Sequence, residues 1–201
     1  MFDVLIIGGG VSSMSCALIL GSAKNKSFAI DKKIGVISHQ KSSSLQDALF
    51  NNAYGIPAGK LGSELLSESS THLSETYPHI VQIPDEKALK IEGVYPNFTV
   101  TTNKNSYATK TIVIGIGTAN TFAIEGLLEY VTPHQKSLPA KQRIQLTNID
   151  HKVVEGIYAI GTLAGWRSQL AIAAGSGASV ATDILTLWNE GEQTHSHDSI
   201  R

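Results

Sequence analysis

The sequence predicts an α/β protein of three layers around a central parallel sheet, and three observations carry that expectation. Met1-Phe-Asp-Val-Leu-Ile-Ile-Gly-Gly-Gly10 runs an apolar strand straight into a glycine turn. A helical stretch from Val11 to Ala23 and a second apolar stretch, Ser27-Phe-Ala-Ile30, follow in the order of a βαβ unit. Farther on, Thr111-Ile-Val-Ile114 is a buried-strand pattern that returns the chain to the same sheet.

The first turn carries chemistry. Gly8 permits the tight bend, Gly10 lets a phosphate approach the backbone, and Ser13 is small enough for the helix to pack under the strand. The helix opened by Val11, Ser12 and Ser13 offers unpaired amides and a positive dipole end to a pyrophosphate. Asp31, with Lys32 beside it, ends the second apolar stretch about 20 residues beyond the turn, where a carboxylate accepts bonds from an adenosine ribose. An acid there favours a free 2'-hydroxyl over a 2'-phosphate. A G-x-G-x-x-S turn alone also serves purely structural ends; its register with helix, strand and acid makes it a dinucleotide signature.

The remaining elements follow in order. Gly35 to Gly59 lacks periodicity and reads as a long connection with one short helical turn near Ser44 to Phe50. Gly59 to Glu75 places Leu61, Leu65, Leu66 and Leu73 on one helical face and stops before Pro78. His79 to Ile83 reads as a core strand. Lys87 to Glu92, Asn97 to Asn103 and Ser106 to Gly115 form a small antiparallel β-meander, turned at Asn103-Lys-Asn105. Arg143 to Leu146 and Gly156 to Ile160 are short strands; Ser168 to Trp188 is the last helix. One domain over residues 1–190 and a polar, disordered tail over 191–201 complete the expectation.

Composition narrows the function. With 16 Lys and Arg against 17 Asp and Glu, a net charge of −1 and no basic run, nothing suggests a nucleic-acid partner. The apolar start lacks a basic leader and a cleavage site, and no apolar run approaches the ~20 residues of a span, so no membrane residence is expected. Cys16 is the only cysteine, which excludes an intramolecular disulfide, points to the cytoplasm, and fits a buried packing role.

In this order the pieces resemble the FAD domain of thioredoxin-reductase-like pyridine nucleotide-disulfide oxidoreductases. The resemblance rests on Asp3 to Gly10 with Asp31, on Asn52-Ala-Tyr-Gly55 with Gly59 and Gly62, on Thr111 to Gly117, and on Gly156-Ile-Tyr-Ala-Ile-Gly161 with Gln169 and Ala173-Ala-Gly-Ser-Gly177. It implies a three-layer FAD/NAD(P)-binding Rossmann-like domain and FAD as cofactor. It also implies that Gly117, Gly161, Thr162, Ser168, Gln169 and Leu170 join Gly8, Gly10, Val11, Ser12, Ser13, Asp31 and Lys32 in holding it. Where the family inserts an NADPH domain, and usually its Cys-x-x-Cys pair, this chain has only Ala123 to Thr147. Thr162 stands in place of the family's aspartate and Ile116 in place of a threonine, each removing polar contact without excluding the cofactor. Gly175 and Gly177 read as close-packing positions rather than a second fingerprint.

No catalytic residue is singled out. If FAD is present, the start of the last helix, Ser168 to Leu170, faces the flavin pyrimidine edge. Trp166 either covers the ring or caps its own loop. His134 can reach the flavin face left open by the lost domain; His39 reads as a surface residue, and the seven histidines make no metal set. The expected protein is an FAD-binding flavoprotein, an oxidoreductase without the NADPH-to-disulfide relay, served by a redox partner protein or a small-molecule substrate. The alternative is a non-catalytic dinucleotide-binding or sensory module. Apolar surface near Leu127 and Leu128 motivates a homodimer.

Overall fold

Val4 and Ile6 face one way from the first strand and Leu5 and Ile7 the other, and all four are buried, so this strand lies inside a sheet covered on both faces. The computed structural model describes residues 1–39, 45–119 and 121–197. In chain order the elements are β1 (Phe2–Ile7), α1 (Val11–Ser22), β2 (Ile34–Ser38), β3 (Leu49–Phe50), β4 (Lys60–Leu61), α2 (Gly62–Thr76), β5 (Val81–Pro84), β6 (Ala88–Val94), β7 (Asn97–Thr102), β8 (Ser106–Ile114), β9 (Val131–Pro133), β10 (Ile144–Leu146), β11 (Lys152–Val154), β12 (Ile157–Ala159) and α3 (Leu170–Trp188).

The main sheet runs β11-β12-β8-β1-β2-β5, with β6 and β7 attached through β8. From β12 to β5 neighbouring strands are parallel. Ile7 pairs with Ile37 on one side and Ile114 on the other, and Ala159 pairs with Ile114, so four strands end along one edge. One face carries α1, α3 and Leu73 of α2 over Val4, Ile6, Val36, Val113 and Tyr158. The other carries the meander, through Ile91, Phe98 and Val100, over Leu5, Ile7, Ile112 and Ile114. This is the predicted α/β, three-layer arrangement.

Small residues let α1 and α3 approach closely. A Cβ on Gly177 would stand 1.9 Å from the Ser12 carbonyl oxygen, and Ser15 Oγ donates to the Ala174 carbonyl at 2.8 Å. Cys16 is fully buried there, and burial pushes its thiol well above the usual range, as its packing role requires. Gly175 differs from the expectation: a Cβ there would meet nothing within 4 Å.

The second strand is the main correction. Ser27 to Ile30 lies in turns with Ile30 64% exposed, and the paired strand begins at Ile34, opposite Val4. A strand between two neighbours must be apolar on both faces, which Ile34-Gly-Val-Ile satisfies. Gly35 is required within it, since a Cβ would stand 2.8 Å from Phe2 Cε1. Part of the supposed long connection is thus strand. Ser44, where a helical turn was expected to begin, lies outside the described residues; Leu45 to Asp47 form a turn, followed by the β3–β4 hairpin.

The meander matches the expectation, and buried Glu86 fastens it by accepting bonds from Thr102 Oγ1 at 2.6 Å, Asn105 Nδ2 at 2.7 Å and Tyr107 Oη at 2.9 Å. Ala123 to Thr147 holds the β9–β10 hairpin, extended by the Thr147 amide to the Tyr130 carbonyl and tied to the body by the Ile144 amide to the Thr118 carbonyl. Leu127 there is buried in the core, so only Leu128, 54% exposed, supplies the apolar surface expected of the pair. The tail is not wholly free: the Thr194 amide reaches Thr186 Oγ1 and Ser196 is buried. By length and composition α3 is apolar enough to cross a membrane, where the sequence reading found no such run. Its Gly177, Val180, Ala181, Ile184 and Leu185 are buried as one stripe of the helix, while most of its apolar length is not.

Candidate functional site

The chain builds outward from β1 to β2 and β5, then returns to the opposite side of β1 as β8. This switch point lies between Ile7 and Ile114, and the residues just beyond both are glycine-rich. Crevices at such switch points, outside the carboxyl ends of parallel strands, are where open α/β sheets bind ligands.

Gly8 has φ +129°, and a Cβ on it would stand 2.6 Å from the Gly115 carbonyl oxygen. Only glycine allows the turn to pass so close to the next strand's exit. Gly10 is the N-cap of α1 and contributes no side-chain cap, while the Met14 amide takes its carbonyl at 2.9 Å. The amides of Val11, Ser12 and Ser13 therefore have no intrahelical partner, and none other among the described residues, with no acidic residue in that first turn. Ser13 Oγ reaches the Gly115 carbonyl at 3.4 Å, which is the close helix-to-strand packing expected of it. Gly117 has open space where a Cβ would be. Gly161, beyond β12, has φ +65° and lies against Ser12, whose Oγ would be 2.9 Å from a Cβ there. Gly8, Gly10, Val11, Ser12, Ser13, Gly117, Gly161 and the adjoining Thr162 are thus brought together at one edge.

Asp31 and Lys32 are not. They precede β2 at the entering edge, beside Asp3, whose amide donates to the Lys33 carbonyl at 2.8 Å. The length of β1 separates them from the glycine turn, on the order of 16 Å. Lys32 lies over the Trp188 ring instead, 5.5 Å from its centroid. The residue at the exit of β2, where a ribose carboxylate belongs, is Ser38. Leu45 is the other residue missed; its Cδ1 comes to 4.0 Å of the Cβ position of Gly10. The buried run Ile34 to Ile37 was the signal that would have moved the acid's place to Ser38.

The start of α3 is anchored by an unanticipated buried group. The Gly161 amide donates to Ser176 Oγ at 2.7 Å, and Ser176 Oγ lies 2.9 Å from His151 Nε2. His151 is buried, its Nδ1 has no hydrogen-bond partner among the described residues, and burial pushes its pKa below the ordinary histidine value against the opposing pull of Asp150 and Asp183. Trp166 stacks on it, centroids 5.4 Å apart and planes at 11°, with Lys136 Nζ 5.3 Å from the indole centroid. The stack packs Trp166 against its own loop while leaving it 41% exposed in the wall of a cleft. Ser168 and Gln169 lead into α3 and line a cleft with Thr162, Trp166 and His134.

The cradle fits a dinucleotide pyrophosphate: among the described residues no side chain fills the space at Gly117, and the α1 amides are without partners. At the ribose end the fit is poorer, because Ser38 replaces the charge with a hydroxyl at most.

Solved structures share the fold. A thioredoxin reductase from Gloeobacter violaceus superposes with TM-score 0.74 at 14% identity, covering 100% of this chain and 99% of that one. An oxidoreductase from Agrobacterium tumefaciens gives 0.72 at 14%, covering 92% and 98%. A ferredoxin-flavin thioredoxin reductase from Clostridium acetobutylicum gives 0.67 at 16%, covering 94% and 98%. Among curated protein sequences there is no match. The family model described as pyridine nucleotide-disulphide oxidoreductase matches residues 2–156, from the first strand to the turn before β12. By that match over residues 2–156 the chain belongs to the pyridine nucleotide-disulphide oxidoreductase family.

Proposed function

We propose that this protein is an FAD-binding flavoprotein of oxidoreductase type. The observation that carries the reading is the convergence of Gly8 to Ser13, Gly117 and Gly161 with Thr162 along the exit edge of three parallel strands. The free amides of Val11, Ser12 and Ser13 would neutralise the pyrophosphate, and the Thr162 hydroxyl would donate one bond beside it. The amides opening α3, at Leu170 and after, would face the pyrimidine edge and favour negative charge there. When bound, FAD supplies the electron-transfer chemistry. The chain itself would orient it, and Trp166 and His134 line the cleft beside the start of α3.

Electrons would pass to a redox partner protein or a small-molecule substrate. A reducing cytoplasmic setting accords with a single, fully buried thiol. A homodimer now has only half-exposed Leu128 in its favour; light scattering of the purified chain decides it. Ser38 at the ribose position favours a second reading, a non-catalytic dinucleotide-binding or sensory module.

The test is the visible spectrum of freshly purified protein, before and after added FAD, then under anaerobic NADPH or NADH. Flavin bands support the proposal, and bleaching by a nicotinamide makes it a reductase. A colourless protein that cannot be reconstituted gives the second reading.

A further inference from the structure

The densest unassigned charge lies between the β9–β10 hairpin and the start of α3. A cleft of about 260 Å³ there is lined by Lys136, Lys141, Arg143 and Arg167, with His134 and Gln169 between them. The chain as a whole balances 16 basic against 17 acidic residues, yet no carboxylate lines this cleft. Among the described residues none of the four cations is ion-paired. Like charges gathered in one concavity repel one another and focus a positive potential that an anion offsets.

The neutral groups point the same way. His134 is 8% exposed and its Nδ1 accepts the Lys136 amide at 3.1 Å, so the ring proton resides on Nε2, which has no partner among the described residues. Ser137 Oγ, also in the wall, is buried without a hydrogen-bond partner among the described residues. The walls are fixed: the Gln135 amide donates to Gln145 Oε1 at 2.8 Å, and Asn148 Nδ2 donates to the Ala164 carbonyl at 3.2 Å.

We propose that this cleft binds a small, multiply charged oxyanion, a metabolite carrying phosphate or carboxylate groups, through Lys136, Lys141, Arg143 and Arg167 with His134 as a further donor. A volume just under the usual range for drug-sized ligands suits a compact metabolite. Thr162, Ser168 and Gln169 of the same cleft are left to the cofactor of the proposed function, so the inference concerns the four cations and His134 alone.

The test is calorimetric titration of the full chain with inorganic pyrophosphate and, separately, citrate. Both probes are repeated on K141Q/R143Q and on the control K24Q/K26Q, which lies beyond the other end of α1. Lys141 and Arg143 are exposed, so the variant is expected to fold, and circular dichroism checks it. Binding by the wild type that weakens about tenfold or more in K141Q/R143Q and not in the control supports the site. Preference for pyrophosphate or for citrate assigns the phosphate or carboxylate source. No binding of either probe, or equal loss in both variants, overturns it. FAD affinity of the same variants, read by flavin absorbance, reports separately on the cofactor reading.

Discussion

Gly177 of the last helix lies against the carbonyl of Ser12 in the first, with space for a hydrogen and not for a methyl group: a Cβ would stand 1.9 Å from that oxygen. The backbone of Ser12 belongs to the candidate phosphate cradle, so this contact fixes the height of α3 over the site. Gly177→Ala therefore forces the helices apart and costs about 1–3 kcal/mol, lowering Tm by about 2–4 °C for each kcal/mol in a chain of this size. Gly175→Ala meets open space in the same helix and is expected to gain up to about 1 kcal/mol from helix propensity. Thermal melts of the two variants check the pair; equal losses would refute it.

Stability should fall on mild acidification because of His151. Its folded-state pKa is held below the ordinary value of about 6.5, chiefly by burial. Above that value the ring is neutral folded or unfolded, and stability is complete. As pH falls below it the unfolded chain takes up the proton first, and stability declines until the folded pKa is reached. His79, lowered by burial and by Lys24, adds slope of the same sign. Melting curves across this range should be flatter for His151→Gln, and an unchanged slope would remove His151 as the cause.

Ser38 and Asp31 make opposite predictions for the adenosine end. Ser38→Glu places a carboxylate at the exit of β2 and should tighten FAD about tenfold. Asp31→Asn, at the entering edge, should leave affinity unchanged. Titration followed by flavin fluorescence separates them; a loss in the Asp31 variant would contradict the register of β2.

Glu86 should hold the meander only while ionised. The bond from Thr102 is the largest influence lowering its pKa, with Asn105 and Tyr107 acting in the same direction. The contribution is present above the ordinary glutamate value and disappears as pH falls through the lowered one. Glu86→Gln should speed amide exchange in β6 to β8 at neutral pH and leave less to lose in acid. Identical exchange in variant and wild type would show that the charge is idle.

The sequence disclosed most of the fold because its apolar runs are long and its turns carry glycine. β1, β8 and α3 announce themselves by composition. The second strand was misplaced because Ser27-Phe-Ala-Ile30 is as apolar as Ile34-Gly-Val-Ile37; only pairing with Val4 and the room Gly35 leaves for Phe2 distinguish them. Gly8, Ser13, Gly117 and Gly161 were legible as site residues because backbone geometry demands their types. The His151–Ser176 contact spans 25 positions and has no periodic trace, and the cations of the β9–β10 hairpin are ordinary surface residues until the hairpin folds over α3.

The contact between α1 and α3 also sets a schedule for biosynthesis. Ser15 and Ala174, joined by one hydrogen bond, are 159 positions apart. A ribosome adding about 5–20 residues per second exposes the small-residue face of α1 for many seconds before its partner is made. During that interval Cys16, Ala17 and Leu20 have no cover from α3. The nascent chain should be a stronger chaperone client than its length suggests, and released from that dependence only when the closing helix clears the exit tunnel.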